Sequence, residues 1–149
     1  MIVYHGSTEI IKNPDVVHSK KYLDFGRGFY ITTFENQAKK WAVYELSEAW
    51  DDFKVLSFEK ENEKWLDFVC ACRKGQPLNK EYDIIIGNVA DDDVFKTVDM
   101  YFRGLWNKEK VLGELRYYKM NNQICIVNQE TLNRLVTFKR AYEVENNGR

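Results

Sequence analysis

The chain has 149 residues, of which 44% are hydrophobic, 15% aromatic and 30% charged; this is the make-up of one globular domain around a single core, not of a disordered chain. Its 22 basic and 23 acidic residues leave a formal net charge of −1, which argues against the broad electrostatic footprint of a duplex-DNA or membrane-surface binder. No run of about 18 apolar residues offers a transmembrane helix, no charged and then apolar leader is visible, and Cys70, Cys72 and Cys125 lack the spacing of a disulfide framework or a zinc site; reduced thiols in a cytoplasmic protein are expected.

Met1 to Ser7 reads as a strand that ends in His5-Gly6-Ser7, a polar ring beside bare backbone. Glu9 to Pro14 reads as a loop that turns at Asn13-Pro14-Asp15, and His18 as a surface residue with nothing near it to complete a site. Tyr22 to Thr33 is the stretch around which the chain is organised. Gly26 and Gly28 permit a bend with φ > 0 and a close approach of other groups. Arg27 places a cation in that bend, and Phe29 to Thr32 reads as a short strand with Tyr30 just past it. This suits a flat, polar, anionic ligand; equally, it is a tight turn before a strand whose aromatics face the core.

Thr33 is a plausible N-cap with Glu35 in the first turn, and Ala38, Trp41, Ala42, Leu46, Ala49 and Trp50 share one helical face. The pattern predicts one helix to about Trp50. Phe53 to Glu59 reads as a buried strand, apolar on both sides. Asn62 caps a predicted helix with Trp65, Leu66, Val69 and Cys72 on one face, stopped by Gly75 and Pro77. Cys70 and Cys72 point to different sides. The unbroken apolar run of Tyr82 to Gly87 predicts a central strand. Asp91-Asp92-Asp93 reads better as a cap and first turn of a helix to about Phe102 than as a metal loop, which needs alternate ligands over a longer span. Asn107 caps a short helix to about Leu115, and Asn128 another to Leu135. Between them lies a strand over Gln123 to Val127. The last strand, Val136 to Val144, carries Val136, Phe138, Tyr142 and Val144 on one face, and the tail Glu145 to Arg149 frays.

Tyr4-His5-Gly6-Ser7 and Gly28-Phe29-Tyr30-Ile31-Thr32 resemble the first two signature motifs of the ADP-ribosyltransferases, in the branch with a His and a Tyr there, that of diphtheria toxin and the poly(ADP-ribose) polymerases. The chain is more closely similar to an uncharacterised bacterial family of ADP-ribosyltransferase-like domains of about this length. Leu23-Asp24-Phe25-Gly26, Gln37-Ala38 to Trp41-Ala42, Tyr82 to Gly87 with Ala90-Asp91-Asp92, and Asn122-Gln123-Ile124-Cys125 carry that likeness over most of the chain. The resemblance implies an α+β fold, with two small sheets flanking an NAD cleft and helices packed outside. It also implies a helix to about Ala42 and then a strand near Val43 to Ser47, in place of the long helix.

The resemblance implies NAD as substrate and no metal. His5 would contact a ribose hydroxyl, the Gly6 backbone would hold the nicotinamide amide, and Tyr30 would stack on the nicotinamide ring. Ser7, Arg27, Gly28 and Thr32 complete the implied binding set. Breaking the nicotinamide–ribose bond creates an oxocarbenium-like centre, so placement and electrostatics should dominate. The third motif departs from the pattern. Gln123 stands where the best-known members carry Glu, and Asn121-x-Gln123 where arginine-modifying toxins carry Glu-x-Glu; Gln is usual there in the similar bacterial family. An amide can orient a hydroxyl but cannot take a proton. Two function classes follow. One is a mono-ADP-ribosyltransferase with a protein or nucleic-acid acceptor, the toxin of a toxin–antitoxin pair. The other is a binding module for NAD, a nucleotide or a protein. On this reading Tyr30→Ala weakens NAD binding by about 1–2 kcal/mol and leaves the fold largely intact, while Gln123→Glu raises NAD hydrolysis.

Overall fold

A computed structural model of the protein describes residues 1–7, 11–17, 23–33, 40–88, 92–115 and 122–143, with the backbone alone at 7, 40, 92, 93 and 143. The expectations for His18, Tyr22, Glu35, Gln37-Ala38, Ala90-Asp91, Asn121 and the tail from Val144 lie outside these residues.

Within them the order is β1 (Ile2–Ser7), β2 (Phe29–Ile31), β3 (Lys40–Leu46), β4 (Val55–Ser57), α1 (Glu63–Arg73), β5 (Ile84–Asn88), α2 (Asp92–Phe102), α3 (Lys108–Leu115), β6 (Asn122–Ile126), α4 (Gln129–Leu135) and β7 (Val136–Glu143). The fold is α+β with two small sheets, one ordered β1-β3-β7 and the other β2-β6-β5-β4. The first is antiparallel throughout; the second is antiparallel except where β4 runs parallel to β5.

The second sheet is covered on both faces. Ile124 and Ile126 of β6, with Phe29, Ile31 and Ile84, pack on Val3, Ala42, Tyr44 and Leu46 of the first sheet and on Leu132 and Leu135 of α4. Cys125 and Ile85 point the other way, into a core of Trp65, Leu66 and Val69 from α1, Val94 and Val98 from α2, and Val111 and Leu115 from α3. Coverage on both faces is why these strands read as unbroken apolar runs rather than as alternation. A bridge joins the sheets: Tyr4 N–H donates to Thr32 O at 2.8 Å and Thr32 N–H to Tyr4 O at 2.9 Å.

Local caps form where the side chains favour them. Asn62 accepts from Trp65 N–H at 3.1 Å, Asn107 from Lys110 N–H at 2.8 Å, and Asn128 from Thr131 N–H at 2.9 Å. Gly75, at φ 87°, ends α1, and the Gln76 N–H returns to Ala71 O at 3.0 Å.

Three predicted elements are corrected. Residues 40–46 form a strand, not the second half of a helix to Trp50; the strand that the resemblance implies near Val43 to Ser47 is present, but it starts at Lys40, where the resemblance implied helix to Ala42. β3 is central in its sheet, so Trp41 and Val43 on one side and Ala42, Tyr44 and Leu46 on the other are all buried; a strand apolar on both sides also satisfies the helical spacing. β4 is short and at an edge, with Val55 and Ser57 exposed and only Leu56 turned inward, not a buried strand. In β7 the pairing shifts between Val43 and Tyr44 of its neighbour, so Phe138 sits opposite Tyr44 and Tyr142 opposite Trp41. That irregularity turns Tyr142 to the face opposite Phe138, against the single-face alternation. Cys70 and Cys72 are both buried, and of the two only Cys70 belongs to the helix-side core. Among the described residues no helix is long and apolar enough to cross a membrane.

Candidate functional site around strand β2

The loop before β2 is held by its own side chains. Gly26 adopts φ 76°, and a Cβ there would lie 2.7 Å from Asn79 Nδ2, so both its conformation and its neighbour demand glycine. The Tyr30 hydroxyl pins this bend: it accepts from Phe25 N–H at 3.0 Å and donates to Gly26 O at 2.5 Å. The ring stacks 6.5 Å from Phe25 and packs on the helix-side core. Burial raises the phenol far above its ordinary pKa, so it works as a neutral donor. Gly28 has no positive φ among the described residues. A Cβ there would meet Cys125 Sγ at 2.4 Å and Ile126 O at 2.8 Å, so this glycine lets the loop lie directly on β6.

His5 approaches the same strand from β1. Its Nδ1 lies 2.7 Å from Tyr30 O. A carbonyl only accepts, so Nδ1 carries the proton and Nε2 presents a lone pair. The imidazole stacks on Phe29 with centroids 4.6 Å apart. Burial lowers its pKa below 6.5, partly opposed by the carbonyl contact. With the folded value depressed, the unfolded chain takes up the proton first as pH falls. Stability is therefore expected to decline below pH 6.5, and His5→Gln should flatten that decline. Melting temperatures of the two proteins between pH 7.5 and 5.5 check this; parallel curves would rule out His5 as the cause.

The other predicted residues fall at one end of the same assembly. Tyr30 is opposite Cys125 in the ladder, and Gln123 lies two residues before Cys125. The Tyr30 and Gln123 side chains therefore share the helix-facing side of the sheet. The His5 ring lies on the other side, beside Phe29, and reaches Tyr30 through the main chain. Thr32 Oγ1 donates to Asn122 O at 2.8 Å. Gly6 is exposed and pairs with Trp41, while Ser7 pairs with Lys40 at the end of β1. Arg27 is exposed, and its carbonyl accepts from Asn79 Nδ2 at 2.9 Å. Beside it a cavity of about 430 Å³ lies between the Gly26-Arg27 bend and the segment Gly75 to Lys80.

A buried polar cluster under this loop escaped the sequence reading. Asp24 is 5% exposed and Gln123 8%. Arg73, in the last turn of α1, donates from Nε to Asp24 Oδ1 at 2.8 Å and from a second guanidinium nitrogen to the same oxygen. Gln123 Nε2 donates to Asp24 Oδ2 at 3.3 Å. The Arg73 guanidinium also lies over the Phe95 ring, 4.1 Å from its centroid. The available signal was Arg73 itself, which continues the Leu66, Val69, Cys70 face of α1 at helical spacing; a cation on an apolar stripe calls for a buried anion. Among the described residues no group of three or more His, Cys, Asp or Glu could hold a metal ion.

The model of a family described as "Protein of unknown function (DUF3990)" matches residues 1–138. No curated protein and no solved structure matches the chain.

Proposed function

The chain belongs to that family; from the motif resemblance and the geometry around His5, we propose that it transfers ADP-ribose from NAD to a macromolecular acceptor. The observation that carries the reading is His5: its Nδ1–H is committed to the Tyr30 carbonyl, so a neutral ring offers Nε2 to a ribose hydroxyl. Gly6, exposed beside it, has no side chain to obstruct a carboxamide. Tyr30 and Gln123 share the side of the sheet opposite the His5 ring, and the Tyr30 ring packs on the helix-side core, so His5 and the exposed Gly6 carry the binding part of this reading.

In the reaction the bond between nicotinamide and the anomeric carbon breaks, and its electron pair leaves with nicotinamide. The acceptor's nucleophile bonds that carbon and releases its proton, if it carries one, to solvent. Gln123 cannot take that proton. The acceptor is therefore of a kind already nucleophilic, such as a carboxylate, a thiolate or a terminal phosphate. Such an activity inside a cell fits the toxin of a toxin–antitoxin pair.

The neutral amide at position 123 favours a second reading, a module that binds NAD or a nucleotide without turning it over. Purified protein incubated with labelled NAD and cell lysate, followed by separate protein and nucleic-acid gels, tests both. Transfer of label with matching nicotinamide release is expected. Binding of NAD or of a nucleotide by calorimetry without nicotinamide release favours the module, absence of NAD binding overturns the transferase reading, and absence of binding to either overturns both.

A further inference from the structure

We infer that Asp24 is a positioning residue that decides which end of the Gln123 side-chain amide meets a ligand, and that its carboxylate is the reason position 123 carries an amide. Arg73 places both of its donors on Asp24 Oδ1, while Oδ2 receives the Gln123 amide at 3.3 Å. A carboxylate oxygen only accepts, so the end of Gln123 turned towards it is the NH₂ group. Oε1 is the end turned away, and it accepts no hydrogen bond from the described residues. The group that meets Gln123 must then be a donor, a hydroxyl or an N–H. A carbonyl or anionic group there would face oxygen lone pairs.

The same contact makes a carboxylate at position 123 costly. It would stand about as close to Asp24 as the amide does now, at sites only 8% and 5% exposed. Like charges so placed disfavour ionisation of one of them, and the Arg73 guanidinium, already committed to Asp24 Oδ1, is shared between the two. Among the described residues the other titratable groups around it are Cys70 and Cys72 of α1, Tyr30 of β2 and Cys125 of β6. Burial pushes the three thiols to about 11, 12 and 12 and the phenol higher still, so none of these titrates between pH 5.5 and 8.

The stability coupling stands by itself; the consequence for NAD rests on the proposed function. The test compares the wild type, Gln123→Glu, Asp24→Asn and the double variant, by melting at pH 5.5 and 8 and by calorimetry with NAD. Gln123→Glu is expected to lower the melting temperature by roughly 5 °C or more at pH 8. Its added carboxyl group, with a raised folded pKa, loses less at pH 5.5, where the folded protein keeps the proton. In the double variant the amide at position 24 can donate to the carboxylate at 123 and accept from Arg73. That variant should therefore melt above the sum of the two single shifts at pH 8. Its NAD affinity should also exceed that of Gln123→Glu. Melting of Gln123→Glu within about 1 °C of wild type at pH 8, or additive shifts, overturns the role of Asp24. If Asp24→Asn does not fold, the pH difference of Gln123→Glu alone decides. Absence of NAD binding by the wild type, with the melting coupling intact, instead overturns the proposed function and leaves the Asp24–Gln123 contact standing.

Discussion

Arg73→Ala should lower the unfolding free energy by about 3 kcal/mol, because removing one partner of a buried ion pair strands the other. Asp24 would keep its carboxylate under the loop, beside the Gln123 amide and without its guanidinium partner. The variant also loses the guanidinium over Phe95. The low end of the range for buried pairs applies because the Arg73 side chain is 20% exposed, so water can partly replace it. For a chain of this length the loss corresponds to a fall of roughly 6–12 °C in melting temperature. Arg73→Lys should recover part of it, since an ammonium supplies the charge without the planar fork. A melting temperature for Arg73→Ala within about 2 °C of wild type would show that the pair contributes little to the folded state.

Tyr30→Ala should cost about 3–4 kcal/mol of stability. The expectation of a nearly intact fold changes once the ring's surroundings are known. The ring packs between the loop and the helix-side core, and its hydroxyl satisfies Phe25 N–H and Gly26 O together. Tyr30→Phe keeps the ring and removes only those bonds, at roughly 1–2 kcal/mol. The pair separates the structural role from the proposed one: Tyr30→Phe should retain NAD affinity if a ring face is what the ligand uses. Chemical denaturation and calorimetry on both variants measure the two quantities. Equal stability of Tyr30→Ala and wild type would dismiss the pinned loop, and a loss of NAD binding in Tyr30→Phe would dismiss stacking as the source of affinity.

Much of the secondary structure was legible because its signals are local. Asn62, Asn107 and Asn128 each bond a backbone N–H three residues on, and such a contact needs no distant partner. Gly75 ends α1 for the same reason, through its own φ of 87°. The bend at Gly26 was expected, and it does take φ > 0. Gly28, expected to do similar service, meets Cys125 and Ile126 instead. That requirement comes from a strand almost a hundred residues away in the chain, and no local pattern reports it.

Short motifs singled out His5, Tyr30 and Gln123 as candidates, and the resemblance those motifs carry implied the two small sheets that the structure contains. The surroundings of those residues were not legible in this way. Asp24 reads as one carboxylate in an apolar stretch until Arg73 and Gln123, at separations of 49 and 99 residues, arrive on its two oxygens. The strand at 40–46 is another such case for the residue pattern: its residues suit either period, the motif resemblance implied a strand only from Val43, and a sheet neighbour on each side, with burial of both faces, selects the strand from Lys40 on. Composition and capping settle what each segment can do alone. Register, face and buried charge pairing depend on which segments meet, and only the packed structure decides that.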